Sequence, residues 1–141
     1  MILLIPMAGA GSRFKEEGYT VHKPAILTTD RNKGKVPMVV AATNDLPGAN
    51  DKETKIIYID RNFHKTDGVE TTIKEFYPNS EFLTIDYLTQ GQASTCLLAK
   101  DFINNNDELL IAGCDNGLVF DQSKFEKEKQ DADALIFTYR N

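Results

Sequence analysis

Basic residues are in the minority in this 141-residue chain, 16 Lys and Arg against 21 Asp and Glu, which leaves a formal net charge of −5. That balance argues against a nucleic-acid binder held by a basic surface. Cysteine is scarce, with Cys96 and Cys114 far outside CxxC spacing, and the two histidines, His22 and His64, stand apart from each other and from any cysteine. A zinc site, a disulfide scaffold, a His-based nucleophilic triad and a histidine metal cluster all lack their residues at useful spacing. The expectation is two reduced, buried thiols in a cytoplasmic protein, with His22, beside Lys23, the histidine better placed to meet a ligand. Long apolar runs are missing too. The segment Ile2–Ala10 has no basic residues before it and meets charge at Arg13, so it reads as neither signal peptide nor membrane span.

What is present is a globular composition, 41% hydrophobic and 26% charged, and a repeating pattern. Short, nearly all-apolar runs at Ile2–Ile5, Ile56–Ile59, Phe82–Ile85, Leu109–Ala112 and Ala134–Phe137 alternate with longer amphipathic stretches. Runs of that kind are strands covered on both faces. Between them the spacing predicts helices near Pro37–Leu46, Phe63–Phe76, Gly91–Phe102 and Ser123–Gln130, the last with Asp121 as its N-cap. Thr28–Lys35 is polar and reads as a loop. No repeat, low-complexity tract or linker divides the chain, so residues 1–141 form one α/β domain: an open, mostly parallel, Rossmann-like sheet with helices on both faces.

Ligands of such sheets bind beyond the carboxyl ends of the strands. The first strand runs into Met7-Ala8-Gly9-Ala10-Gly11-Ser12-Arg13-Phe14, where small residues let backbone N–H groups approach an anion. A dinucleotide fingerprint would need glycine where Phe14 stands, and a Walker A loop would need a following Gly-Lys-Ser/Thr, so both are excluded. The loop brings Arg13, and Lys23-Pro24 follows; a guanidinium and an ammonium together can neutralise a triphosphate. A tight turn is the plainer alternative. Asp115 follows the fourth apolar run and reaches the same edge, either as a Mg²⁺ ligand or as a cap on the turn Asn116-Gly117. Thr89-Gln90-Gly91-Gln92-Ala93-Ser94 opens the preceding helix, where Gln90 or Gln92 can read a base or hydroxyl, or simply form a polar loop.

The Gly loop, Lys23-Pro24, Gly34-Lys35-Val36-Pro37-Met38, Gly91-Gln92-Ala93 and Asp115, in that order, resemble the sugar-phosphate nucleotidyltransferases. The resemblance runs through nearly the whole chain and rests on several motifs in register. It implies a nucleotide-diphospho-sugar transferase-like fold and the transfer of a nucleoside monophosphate from a nucleoside triphosphate to a sugar 1-phosphate with release of pyrophosphate. It further implies that Ala8, Gly9, Ala10, Gly11 and Ser12 line the nucleotide, Arg13 meets the triphosphate, Lys23 the reacting phosphate, Gln90, Gly91 and Gln92 the base and ribose, and Asp115 holds Mg²⁺. The anionic nucleophile of that reaction needs no general base, in keeping with the absence of a histidine constellation. Members of the family continue past the last apolar run to complete the sugar pocket and supply a second acidic metal ligand, so the chain is expected to be the N-terminal portion of such a domain. Two other readings stay open: a non-catalytic nucleotide-binding fragment or regulatory domain, and a cytidylyltransferase acting on an alcohol phosphate such as phosphocholine. Neither nucleic acid nor membrane is an expected partner, while an uncovered terminal strand leaves pairing with a second copy open.

Overall fold

The computed structural model describes residues 1–139. Four parallel strands make one sheet: β1 (Ile2–Pro6), β4 (Lys55–Arg61), β5 (Glu81–Ile85) and β6 (Leu109–Ile111), in the order β5-β4-β1-β6. The chain moves outward from β1 to β5, then returns across β1 to place β6 on its other side. β1 is therefore the strand at which the winding reverses, the position where open α/β sheets bind ligands.

Two hydrophobic clusters cover the two faces, which accounts for the uninterrupted apolar runs. On one face Leu3, Ile5, Ile56 and Tyr58 pack under α2 (Met38–Asn44) and α4 (Val69–Phe76), through Val39, Val40, Val69 and Ile73. On the other, Ile2, Leu4, Ile57 and Ile59 meet Cys96 of α5 (Gln92–Leu97), Ala99, and Ile103 of α6 (Lys100–Ile103). Leu3, Leu4, Ile5, Tyr58 and Ile59 are fully buried. Cover thins at the edge, where Leu109 and Ile111 of β6 remain exposed. Both cysteines are buried, unbridged thiols. No helix among the described residues is long and apolar enough to cross a membrane.

Four of the five expected strands form. The fifth does not: Ala134–Phe137 joins no ladder, and Ile136 is 88% exposed. Its aromatic side chain decides its course, because Phe137 stacks on Phe125 of α7 (Gln122–Gln130) at 5.6 Å and meets Phe120 edge-on at 5.8 Å. The stretch Thr28–Lys35 is likewise not a plain loop. It belongs to an antiparallel hairpin, β2 (Leu27–Asp30) with β3 (Gly34–Pro37). The Asp30 carboxylate accepts the N–H groups of Asn32 and Lys33 at 2.7 and 2.6 Å, and Gly34 takes a positive φ of 74° to close the turn.

The expected helix over Phe63–Phe76 is two helices, α3 (Asn62–Thr66) and α4, separated by Gly68 at φ 74°. Gly91–Phe102 also forms two helices, α5 and α6, which part at Leu98 and Ala99. The predicted Asp121 cap is in place, its carboxylate accepting the Lys124 N–H at 3.0 Å.

Candidate functional site

The segment after β1 turns sharply at Gly11, whose φ of 61° lies in the left-handed region, and enters the short helix α1 (Ser12–Glu16). A Cβ added there would lie 3.8 Å from Cβ of Lys23. That spacing shows how closely the Gly loop and the 3-10 turn Lys23–Ala25 approach. Pro24, buried, anchors the turn, and Lys23 faces back across the carboxyl edge of the sheet. There its ammonium forms an ion pair with the Asp115 carboxylate, which follows β6. The expected phosphate cation and the expected metal ligand thus meet over the reversal point of the sheet.

Two adjoining clefts share Gly11, Tyr19 and Lys23. The first, of about 460 Å³, is bounded by the backbone of Gly9–Gly11 and by Lys15, His22, Lys23, His64 and Cys114. The second, wider and of about 940 Å³, holds Ser12, Arg13, Phe14, Glu17 and Asp115. Arg13 and Lys23 therefore flank the same opening. Lys23 Nζ also lies 5.6 Å from the centre of the Phe14 ring.

The predicted residues divide accordingly. Gly9, Ala10, Gly11, Ser12, Arg13, Lys23 and Asp115 line the two clefts, whereas Ala8 is buried in the core cluster beneath α5. Gln90, Gly91 and Gln92 lie at the N-terminal end of α5, exposed, and line neither cleft.

The loop that follows Asp115 is held at Leu118 by a latch that sequence reasoning did not find. Asp45, at the end of α2, accepts the Leu118 N–H at 3.1 Å and the Arg31 guanidinium at 2.7 Å, while Arg31 also donates to the Leu118 carbonyl at 3.1 Å. Gly117 leaves room for this, since a Cβ there would meet Asp45 Oδ2 at 2.5 Å. Among the described residues no three His, Cys, Asp or Glu side chains gather as a metal cluster. One carboxylate is nevertheless a fitting donor set for Mg²⁺, which takes one or two carboxylates and completes its octahedron with phosphate oxygens and water.

The histidines are the second thing the spacing concealed. His22 has a carboxylate partner after all, Asp67, and its ring stacks on Phe63 at 3.9 Å. His64 stands edge-on to His22, 5.9 Å away, and is 1% exposed. Burial, and then the neighbouring His22, push its pKa down to about 4, so the ring is neutral at physiological pH. On β4, Asp60 is fully buried, with Thr84 and Glu70 the polar side chains beside its carboxyl. Burial, reinforced by the Glu70 carboxyl nearby, raises the Asp60 pKa above the usual carboxylate range.

No protein-family model and no curated protein matches the chain. Among solved structures, it is similar to the crystal structure of the nucleoside-diphosphate-sugar pyrophosphorylase from Vibrio cholerae RC9. The TM-score is 0.58 and the identity 23%, over 88% of this chain and 52% of that one. The likeness establishes the fold, and the chain spans about half the length of that protein.

Proposed function

We propose that the chain is the nucleotide-binding part of a nucleotidyltransferase, transferring a nucleoside monophosphate from a nucleoside triphosphate to a sugar 1-phosphate with release of pyrophosphate. The observation that carries this reading is the meeting of Lys23 and Asp115 over the Gly loop at the reversal point of the sheet. Cation, carboxylate and close-approach backbone are the parts a phosphoryl centre needs, and they converge from three separate stretches of chain. The pyrophosphorylase named for the similar structure supports the reaction class.

In this mechanism the Gly9–Gly11 backbone seats the triphosphate, and Arg13 and Lys23 neutralise its charge from either side of the opening. Asp115 would hold Mg²⁺ together with phosphate oxygens and water, and the ion supplies further charge neutralisation there when bound. An oxygen of the sugar phosphate attacks the α-phosphorus, the bond from that phosphorus to the bridging oxygen breaks, and pyrophosphate leaves. The nucleophile is already an anion, so alignment and neutralisation carry the barrier reduction and no base is required.

The deciding experiment measures pyrophosphate release with each nucleoside triphosphate, Mg²⁺ and a panel of sugar 1-phosphates, with phosphocholine alongside. Release that depends on a sugar 1-phosphate supports the proposal. Release only with phosphocholine moves the acceptor to alcohol phosphates. Triphosphate binding with no release under any pairing leaves a nucleotide-binding unit alone.

A further inference from the structure

The cleft of about 460 Å³ has a lining that the nucleotide reading does not fully use. Two lysines and two histidines border it, Lys15, Lys23, His22 and His64, and no Asp or Glu does, in a chain whose net charge is −5. Asp115 pairs with Lys23 and Asp67 with His22 from outside the lining, so the ligand such a cleft complements is an oxyanion that takes the place of those carboxylates. Among the four, His64 is singular because its hydrogen bonding is half spent. Its Nδ1 accepts the backbone N–H of Arg61 at 3.1 Å, which puts the proton of the neutral ring on Nε2. Among the described residues the ring's hydrogen bond is the one at Nδ1, and the side chain, 1% exposed, forms part of the cleft wall. That Nε2–H is the ring's one remaining donor, and the ring borders the cleft, where a bound anion would accept from it.

We propose that His64 is a phosphate-binding residue, its Nε2–H donating to an oxygen of a phosphate group seated between Lys23 and the Gly9–Gly11 backbone. His22 forms the rim of the same subsite, fixed from behind by Asp67 and by the Phe63 ring. The proposal deepens the nucleotidyl-transfer reading and rests on it for the identity of the phosphate compound. Histidine suits the position better than another lysine. A neutral donor adds direction without adding charge, and it stays a donor at every pH at which the protein would work.

The test titrates inorganic pyrophosphate and inorganic phosphate into the chain, by calorimetry and by long-range imidazole ¹H–¹⁵N spectra. Two variants accompany the wild type: His64→Gln, which keeps an N–H donor at similar reach, and His64→Phe, which keeps a ring and loses the donor. His64→Phe also removes the acceptor for the Arg61 N–H, which a glutamine amide can replace, so the wild-type Nε2 shift is read together with the pair. The expected result is that pyrophosphate shifts the His64 Nε2 signal. His64→Phe then binds it about tenfold or more weakly, and His64→Gln falls within about threefold of wild type. Stronger binding of pyrophosphate than of phosphate assigns the subsite to a polyphosphate tail, and equal binding assigns it to a phosphate monoester. Anion binding that leaves the His64 signals unmoved, no anion binding at all, or a His64→Phe variant equal to wild type overturns the proposal. Should the variants fail to fold, the wild-type spectrum alone decides. Pyrophosphate sensed by His64 without any nucleotidyl transfer would reject the reaction and keep the subsite. Transfer with an indifferent His64 would do the reverse.

Discussion

Lys23 and Asp115 neutralise one another across the carboxyl edge of the sheet, so each is already spoken for before any phosphate arrives. A triphosphate must therefore exchange one attraction for another: Lys23 leaves a carboxylate for phosphate oxygens, and Asp115 is released to a cation. Binding of nucleotide and binding of Mg²⁺ are coupled through that exchange. Asp115→Asn is expected to abolish the Mg²⁺ dependence of triphosphate affinity and to strengthen metal-free binding, because the competing carboxylate is gone. Calorimetry with and without Mg²⁺ checks both signs, and unchanged Mg²⁺ linkage would remove Asp115 from the site.

Lys23→Ala should cost binding far more than folding. Lys23 is partly exposed, and its ion pair contributes at most about 1 kcal/mol to stability, whereas a hydrogen-bonded charge on a phosphate contributes about 1.5–3 kcal/mol. Triphosphate affinity is expected to fall by about 10- to 100-fold while the thermal midpoint moves by a few degrees at most. A large drop in midpoint with full affinity would reverse the assignment.

Gly11→Val tests the loop. A β-branched residue at φ 61° costs about 1–2 kcal/mol of backbone strain, and its side chain grows toward Lys23. Triphosphate binding should be lost while circular dichroism stays that of the wild type. Unaltered affinity would mean the loop is only a turn.

The latch on the Asp115 loop predicts a coupling. Asp45→Ala leaves the Leu118 N–H without its acceptor and should destabilise by about 1–3 kcal/mol, and Gly117→Ala should push the same contact apart. Because both break one contact, the double variant should cost clearly less than the sum. Urea unfolding of the three variants measures this, and strict additivity would show that the two residues act independently.

Asp60 and His64 pull the pH dependence of stability in opposite directions. The buried His64 resists protonation, so the unfolded chain binds more protons between its ordinary 6.5 and about 4, and stability falls as pH drops through that window. Asp60, raised by burial, holds its proton longer in the folded state, so its contribution falls as pH rises above the ordinary carboxylate range. The wild type should show a shallow profile between about pH 4 and pH 6.5. In Asp60→Asn only the histidine remains, and stability should climb with pH by an amount of the order of 2–3 kcal/mol. Thermal unfolding across that range is the measurement, and a flat profile in the variant would mean that His64 titrates freely.

The sheet was legible because β1 and β4 are buried on both sides, which leaves an uninterrupted apolar run as its trace. The Gly loop, Lys23 and Asp115 were legible for a related reason: each directly follows a strand or stands beside a proline that fixes the backbone. What stayed hidden depends on partners distant in sequence. His22 finds Asp67, and Asp45 finds Leu118, only once the sheet has brought their segments together. The hairpin was masked by charge in its turn, although Asp30 and Gly34 are the residues such a turn requires. Ala134–Phe137 shows the converse limit. Composition makes it strand-like, but with Phe120 and Phe125 beside it, side-chain stacking places it away from any ladder.

The carboxylate-free lining of the narrow cleft also governs how a ligand arrives. Seen from about a Debye length away, the chain is a net anion and repels another anion, and the favourable field exists only within the last several ångströms. Added salt damps the distant repulsion first and reaches the sheltered contacts least. Association of a phosphate compound should therefore hold steady or quicken as ionic strength rises, while its residence time shortens, the opposite of the electrostatic steering seen when charge draws a ligand in from afar.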